Sequence, residues 1–143
     1  MSEQRSYCTF RVGSLSLGVE VHRVQEVIRA QRMTRIPGAS PVVRGLMNLR
    51  GQIVTALDLR RRLNLPEVEA TDRLMNVVVR TSDGPVSLLV NEIGDVLVVD
   101  KDQFEPPPET LQGSTRELIS GTYKLENRLL LVLNLDAALK LAA

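Results

Sequence analysis

Residues 7 to 21, YCTFRVGSLSLGVEV, alternate apolar and polar side chains on either side of Gly13-Ser14, which predicts two half-buried strands joined by a tight turn. Beyond them, Val21, Val24, Val27 and Ile28 recur at helical spacing, while the β-branched residues that follow favour extended chain. A helical turn running into a third strand satisfies both signals. Pro37-Gly38-Ala39-Ser40-Pro41 interrupts regular structure and predicts a loop. Residues 43 to 59 then form two apolar runs about Asn48-Leu49-Arg50-Gly51, with Gly51 able to take the positive φ that closes a hairpin. Asp58 is placed to cap a short helix, LRRRL, which Asn64 and Pro66 end.

From Pro66 to Asp72 the chain is polar and acidic, the one stretch that reads as an internal connector. Strand patterns resume in RLMNVVVRT and PVSLLVNEI, which flank the turn signal Ser82-Asp83-Gly84, and continue in DVLVVD. Pro106-Pro107-Pro108 fits neither a helix interior nor a central strand and predicts a stiff, exposed connection. Residues 117 to 123 and 128 to 135 supply two more strands, and DAALKLAA a closing amphipathic helix. Each half thus holds about five short strands with one short helix after them. Several strands are apolar on both faces, as in sheets buried on both sides, and five-stranded units this small usually close into barrels. The expected fold class is mainly β: two small barrels on a shared aliphatic core, the first from residues 7–66 and the second from 72–143.

Composition supports a packed domain without adding chemistry. The 143 residues are 43% hydrophobic and 24% charged, close to the globular average, and a chain this long buries roughly two-thirds of its unfolded surface. Net charge is +1, so no global field draws the chain to phosphate backbones or anionic lipid. The start lacks a signal-peptide h-region, and no stretch reaches the ~18 apolar residues of a membrane span. With Cys8 the only cysteine, no internal disulfide forms, and a cytoplasmic location without membrane insertion is expected.

His22 is the only histidine, which leaves neither a His-based zinc set nor a Cys/His or Ser/His nucleophile pair to assemble. No GxxxxGK[ST] or GxGxxG follows a strand and opens a helix, so a phosphate cradle is not expected. Asp58, Asp95 and Asp136 read as caps and turn formers. Arg60-Arg61-Arg62, with Arg44 and Arg50 near in sequence, is the best nucleic-acid feature. Single-strand binding also needs aromatic platforms, however, and residues 11 to 103 contain no aromatic; the triplet reads as the solvated face of a short helix. A non-catalytic interaction module without cofactor or metal remains.

Val24-Gln25-Glu26-Val27, Thr34-Arg35-Ile36-Pro37, Val43 to Gly51 (VRGLMNLRG) and Leu57-Asp58-Leu59-Arg60, in that order and spacing, resemble the CheW family of bacterial chemotaxis coupling proteins. VNEIGDV at 90 to 96, Pro106-Pro107-Pro108, Ile119-Ser120-Gly121 and Leu129 to Leu135 are similar to the family's later signatures, so the resemblance spans about residues 7 to 140. Leu17, Thr55 and Asn134 depart from the family pattern, where an aromatic, a proline and an aspartate are common. The resemblance implies two SH3-like five-stranded barrels and an adaptor, monomeric when isolated, at cytoplasmic arrays of membrane-bound chemoreceptors. Its implied partners are the receptor tip and the regulatory domain of the histidine kinase CheA.

For the receptor contact the resemblance points to Arg50, with Asn48 and Gly51 serving its turn, and to Val24, Glu26 and Val27. Val24 and Val27 fit a core position equally well. Leu88, Val90 and Val99 are the apolar candidates for the kinase contact, with a core position the commoner alternative for each. Rival expectations are a coupler of a non-flagellar pathway (gliding, pili or biofilm control), and a small barrel binding single-stranded nucleic acid. A receiver-fused coupler or kinase fragment fits less well, because the first strand follows Met1 closely and the chain ends at the last helix.

Overall fold

The computed structural model describes residues 3–66 and 74–140. Ten strands follow one another: β1 Gln4–Val12, β2 Leu15–Glu20, β3 Val24–Arg29, β4 Val43–Leu49, β5 Gln52–Asp58, β6 Met75–Thr81, β7 Gly84–Val90, β8 Glu92–Asp100, β9 Ile119–Lys124 and β10 Leu129–Leu133. Three helices of four or five residues accompany them: α1 Leu59–Arg62, α2 Gly113–Glu117 and α3 Leu135–Leu139. The hairpins fall where the turn residues put them, and the segment after β2 is a single 3-10 turn, Val21–Arg23, that runs into β3. The short helix α2 went unforeseen. The expected acidic connector, beyond Pro66, lies outside the described residues.

The strands form two five-stranded sheets, β8-β1-β2-β10-β9 and β3-β6-β7-β5-β4. Both are wired alike. A central hairpin, β1–β2 or β6–β7, is flanked by an antiparallel strand, β8 or β3, and on its other side by a parallel one, β10 or β5. The hairpin partner of that parallel strand, β9 or β4, completes the order.

This corrects the expectation that residues 7–66 and 72–143 each build a barrel of their own. Each half has its five strands, but gives the first two to one sheet and the last three to the other. The physical reason lies in the connections. Only Val21–Arg23 separates β2 from β3, and only Asn91 separates β7 from β8, so the chain steps from one sheet to the other rather than turning back to pair. Hydrophobic alternation reports which side chains are buried and is silent about which sheet buries them.

Each sheet is also bridged across its ends. The chain leaving β3 pairs Thr34 with Leu46 of β4 through two hydrogen bonds of 2.8 Å. The chain leaving β8 pairs Glu105 with Thr122 of β9 at 2.9 and 2.8 Å. A glycine precedes the bridged residue in both. A Cβ on Gly45 would lie 2.7 Å from the Thr34 carbonyl oxygen, and one on Gly121 would fall inside the Phe104 ring. Close approach requires glycine at these two places.

Burial is arranged in three clusters. The largest draws on both sheets and includes Phe10, Leu17, Leu57, Val77, Leu88 and Leu133. A second belongs to the first sheet (Tyr7, Tyr123, Leu130, Val132), and a third to the second sheet (Met47, Leu49, Val54, Val78). The helices are set by capping side chains in equivalent places: Asp58 accepts from the Arg61 backbone N–H, and Asn134 from that of Ala137. Asn134, a departure from the family pattern, therefore keeps the cap.

Candidate functional site

The β4–β5 hairpin turns through two residues, Arg50 and Gly51, both at positive φ (52° and 86°). Two left-handed central residues match the right-handed twist of the flanking strands, which is why short hairpins favour this turn. Gly51 was expected to adopt it. Arg50 does too, although a residue with a Cβ occupies that region at a cost of about 1–2 kcal/mol. The Asn48 side chain offsets part of this by accepting the Gly51 backbone N–H at 2.8 Å.

At the tip, Arg50 Nη1 donates to Glu26 Oε2 of β3 at 2.7 Å. The pair is lopsided: the Arg50 side chain is 77% exposed and that of Glu26 only 15%. Ion pairs this open to water contribute roughly 0–1 kcal/mol, so its main effect is to aim the guanidinium. One N–H is spent on Glu26, and the rest of the planar fork faces outward, suited to carboxylates or carbonyls. The sequence singled out Arg50 and Glu26 separately; the fold joins hairpin tip and edge strand through them.

β3 itself is held from below. Buried Asn76 of β6 donates to the Arg29 carbonyl at 3.2 Å and accepts from the Ser87 hydroxyl at 2.6 Å. The two valines of β3 divide. Val24 packs on the shared core, whereas Val27 is 37% exposed, its side chain on the face of the strand opposite Glu26.

The three candidates for a kinase contact do not form a surface. Leu88 and Val90 are at most 1% exposed, within the core common to both sheets, and Val99 packs half-buried on the first sheet's own cluster. Their strands explain it: β7 is paired on both edges and covered, so its apolar run is interior.

Exposed apolar side chains lie instead on β8, the edge strand of the first sheet, where Ile93, Val96 and Val98 are 37%, 58% and 57% exposed. An apolar row on an edge strand is a site for association. Sequence reasoning missed it because DVLVVD looks like any buried strand, and only its place in the sheet leaves it open.

The arginine triplet is also less solvated than expected. Arg62 donates to the carbonyls of Ala137, Ala138 and Lys140 at 2.9 to 3.0 Å, and so clasps the end of α3. Arg60 donates to the Leu65 carbonyl at 3.0 Å. Among the described residues, no group of three or more His, Cys, Asp or Glu is placed to hold a metal ion, and no helix is long and apolar enough to cross a membrane. His22 stays at the surface, 3.3 Å from Glu20.

Known proteins share this sequence and this arrangement. Residues 6–143 match the family described as CheW-like domain. The chain is 37% identical over 130 residues to the chemotaxis protein CheW of Bacillus subtilis, covering 91% of this chain and 83% of the relative. It is 28% identical over 137 residues to the chemotaxis protein CheW of Treponema pallidum, covering 93% and 81%. The crystal structure of the scaffolding protein TtCheW from Thermoanaerobacter tengcongensis superposes with a TM-score of 0.86 at 20% identity, over 99% of this chain and 91% of that one, a likeness of fold. With a matching family over nearly its whole length and a relative above 30% identity, the chain belongs to the CheW-like domain family.

Proposed function

We propose that this chemotaxis scaffold couples the cytoplasmic tips of chemoreceptors to the regulatory domain of the kinase CheA, with the Arg50 hairpin and β3 as its receptor-docking edge. The observation that carries the reading is the Arg50–Glu26 pair: a guanidinium held in an unfavourable backbone region, fixed by a tucked carboxylate and turned outward. The two-residue turn demands that backbone region, and an arginine in it, where asparagine or glycine fits more easily, supports a role for the side chain. Val27 adds exposed apolar area on the other face of the same strand, and Asn48 and Gly51 maintain the turn. With Leu88 and Val90 interior, the exposed Val96 and Val98 of β8 are apolar surface available to a second partner.

The test is assembly. Purified receptor fragments, CheA and the chain are mixed, and complex formation is followed by sedimentation. Arg50→Glu is expected to keep its fold, because the residue is solvent-facing, and to lose receptor-dependent assembly. Undiminished assembly by a folded variant disproves the receptor-docking edge. Separately, no complex with the CheA regulatory domain at high micromolar concentration removes the coupling reading itself.

A second reading concerns the pathway. The chain is also 31% identical over 106 residues to protein FrzA of Myxococcus xanthus, covering 74% of this chain and 66% of the relative, and service in a non-flagellar system stands as the alternative. Deleting the gene and scoring swimming against surface motility separates the two.

A further inference from the structure

The two ends of the molecule carry unlike charge. Between residues 21 and 66 the sequence holds nine arginines and two carboxylates, Glu26 and Asp58. Both carboxylates are engaged: Glu26 by Arg50, and Asp58 by Arg44 and Arg61 at 3.6 Å and Arg60 at 3.9 Å. One acid thus serves three cations. Three of these arginines border a groove of about 780 Å³ beside the Thr34–Leu46 bridge, lined by the loop between β3 and β4, the start of β4 and Arg61.

The three are Arg35, Arg44 and Arg61, and no carboxylate lines the groove. Met33, Ile36, Pro37, Pro41 and Val43 contribute apolar side chains to a lining that is otherwise polar, with Ile36 39% exposed. Arg61 is oriented by the Pro41 carbonyl at 3.3 Å. Arg35 is exposed and makes no side-chain hydrogen bond or ion pair among the described residues.

We infer that this groove is a docking site for an acidic segment of a partner polypeptide that carries apolar side chains between its carboxylates. Guanidinium forks on the rim match carboxylates, and the apolar side chains remove apolar area from water. A nucleic-acid strand matches the charge but leaves the apolar side chains unused, since no aromatic lines the groove for a base to stack on. Four carboxylates around the first sheet are already paired internally, in Arg5–Glu20, Arg11–Glu92, Lys101–Glu3 and Lys124–Glu105, and do not supply the occupant; a dimer measurement tests the rest of a second copy. The proposal is independent of the receptor-docking edge, as Arg50 is not part of the lining.

The experiment uses the full chain, labelled with nitrogen-15, and a synthetic 12-residue peptide in which glutamates alternate with leucine and valine. Saturable binding, with shifted amide signals confined to residues 33–44 and Arg61, is the expected result. The same peptide with lysine for glutamate is expected not to bind. Arg35→Glu removes no hydrogen bond or ion pair among the described residues, so it is expected to melt as the parent does while weakening the peptide by at least about tenfold, mainly through complementarity of charge. Three outcomes overturn the proposal: unchanged affinity in Arg35→Glu, equal displacement of the peptide by a 12-mer of thymidine, or a salt-sensitive dimer of the free chain that Arg35→Glu abolishes. The second assigns a general polyanion surface, and the third gives the groove to a second copy.

Discussion

At the bridge of the first sheet, Phe104 lies over Gly121 and its ring meets Tyr123, which meets Tyr7, with centroids 5.3 and 5.6 Å apart. At the bridge of the second sheet there is no ring at all. Gly45 admits the Thr34 backbone instead, and Met47, Leu49, Val54 and Val78 fill the space with Ile28 and Met33 packed against them. Strand order, pairing sense, bridge position and capped helix correspond between the two, while contents and charge differ. Wiring and closure are thus properties of the backbone and its glycines, and the filling is free to vary around them.

The largest effect is expected at a residue that belongs to neither sheet alone. Leu88→Ala empties a site in the shared core and is expected to cost about 3 kcal/mol, in a single unfolding transition seen alike by probes in both sheets. Two separate transitions would break the view that the sheets stand or fall together. Next comes the pair of bridge glycines. Gly45→Ala drives a Cβ against backbone and is expected to cost about 2–3 kcal/mol. Gly121→Ala meets a ring that is 42% exposed and can swing away, at about 1 kcal/mol for the aromatic contact it loses. Equal losses on chemical denaturation would mean that the ring is as immovable as the chain.

The helix caps give a smaller contrast. Asn134→Ala is expected to cost about 1 kcal/mol. Asp58→Ala is expected to exceed it, because Arg44, Arg60 and Arg61 then face one another without their carboxylate. The same denaturation measurement ranks them. The subtlest contrast is alkaline. Burial, and then hydrogen bonding with Tyr7, push the Tyr123 hydroxyl well above the usual tyrosine range. Between its unfolded value near 10 and the raised folded one, the native state binds more protons, so stability is full below about pH 10 and falls as pH rises beyond it. The second sheet's buried cluster has no such group. Tyr123→Phe is expected to flatten the decline of melting temperature above pH 10, and an unaltered slope would assign the decline to other groups.

Much of this fold was legible. Gly13, Asn48 with Gly51, and Asp83-Gly84 mark hairpins because few residues tolerate those backbone angles, and Asp58 announces α1 because an acid before an apolar run satisfies free N–H groups. The resemblance to CheW supplied the two-lobed plan. What neither supplied was the exchange of strands between halves, since pairing partners far apart in sequence leave no trace in alternation. Leu88 and Val90 lie in the core, the commoner place for such residues, and the exposure of Val96 and Val98 went unread, for one reason. Valine and leucine runs look the same on a central and on an edge strand, and sheet position alone makes one core and the other surface. Arg50 and Glu26 were both named, yet their mutual contact depends on a hairpin tip reaching an edge strand.

β3 and β8 are the strands on which the chain has just changed sheets, joined to β2 and β7 by a three-residue turn and a single residue. Force applied to either has two routes, sideways through backbone ladders into one sheet and lengthwise along covalent bonds into the other. A partner gripping these strands therefore pulls on the entire molecule as on a stitched seam. Docking on either strand thus engages both sheets at once.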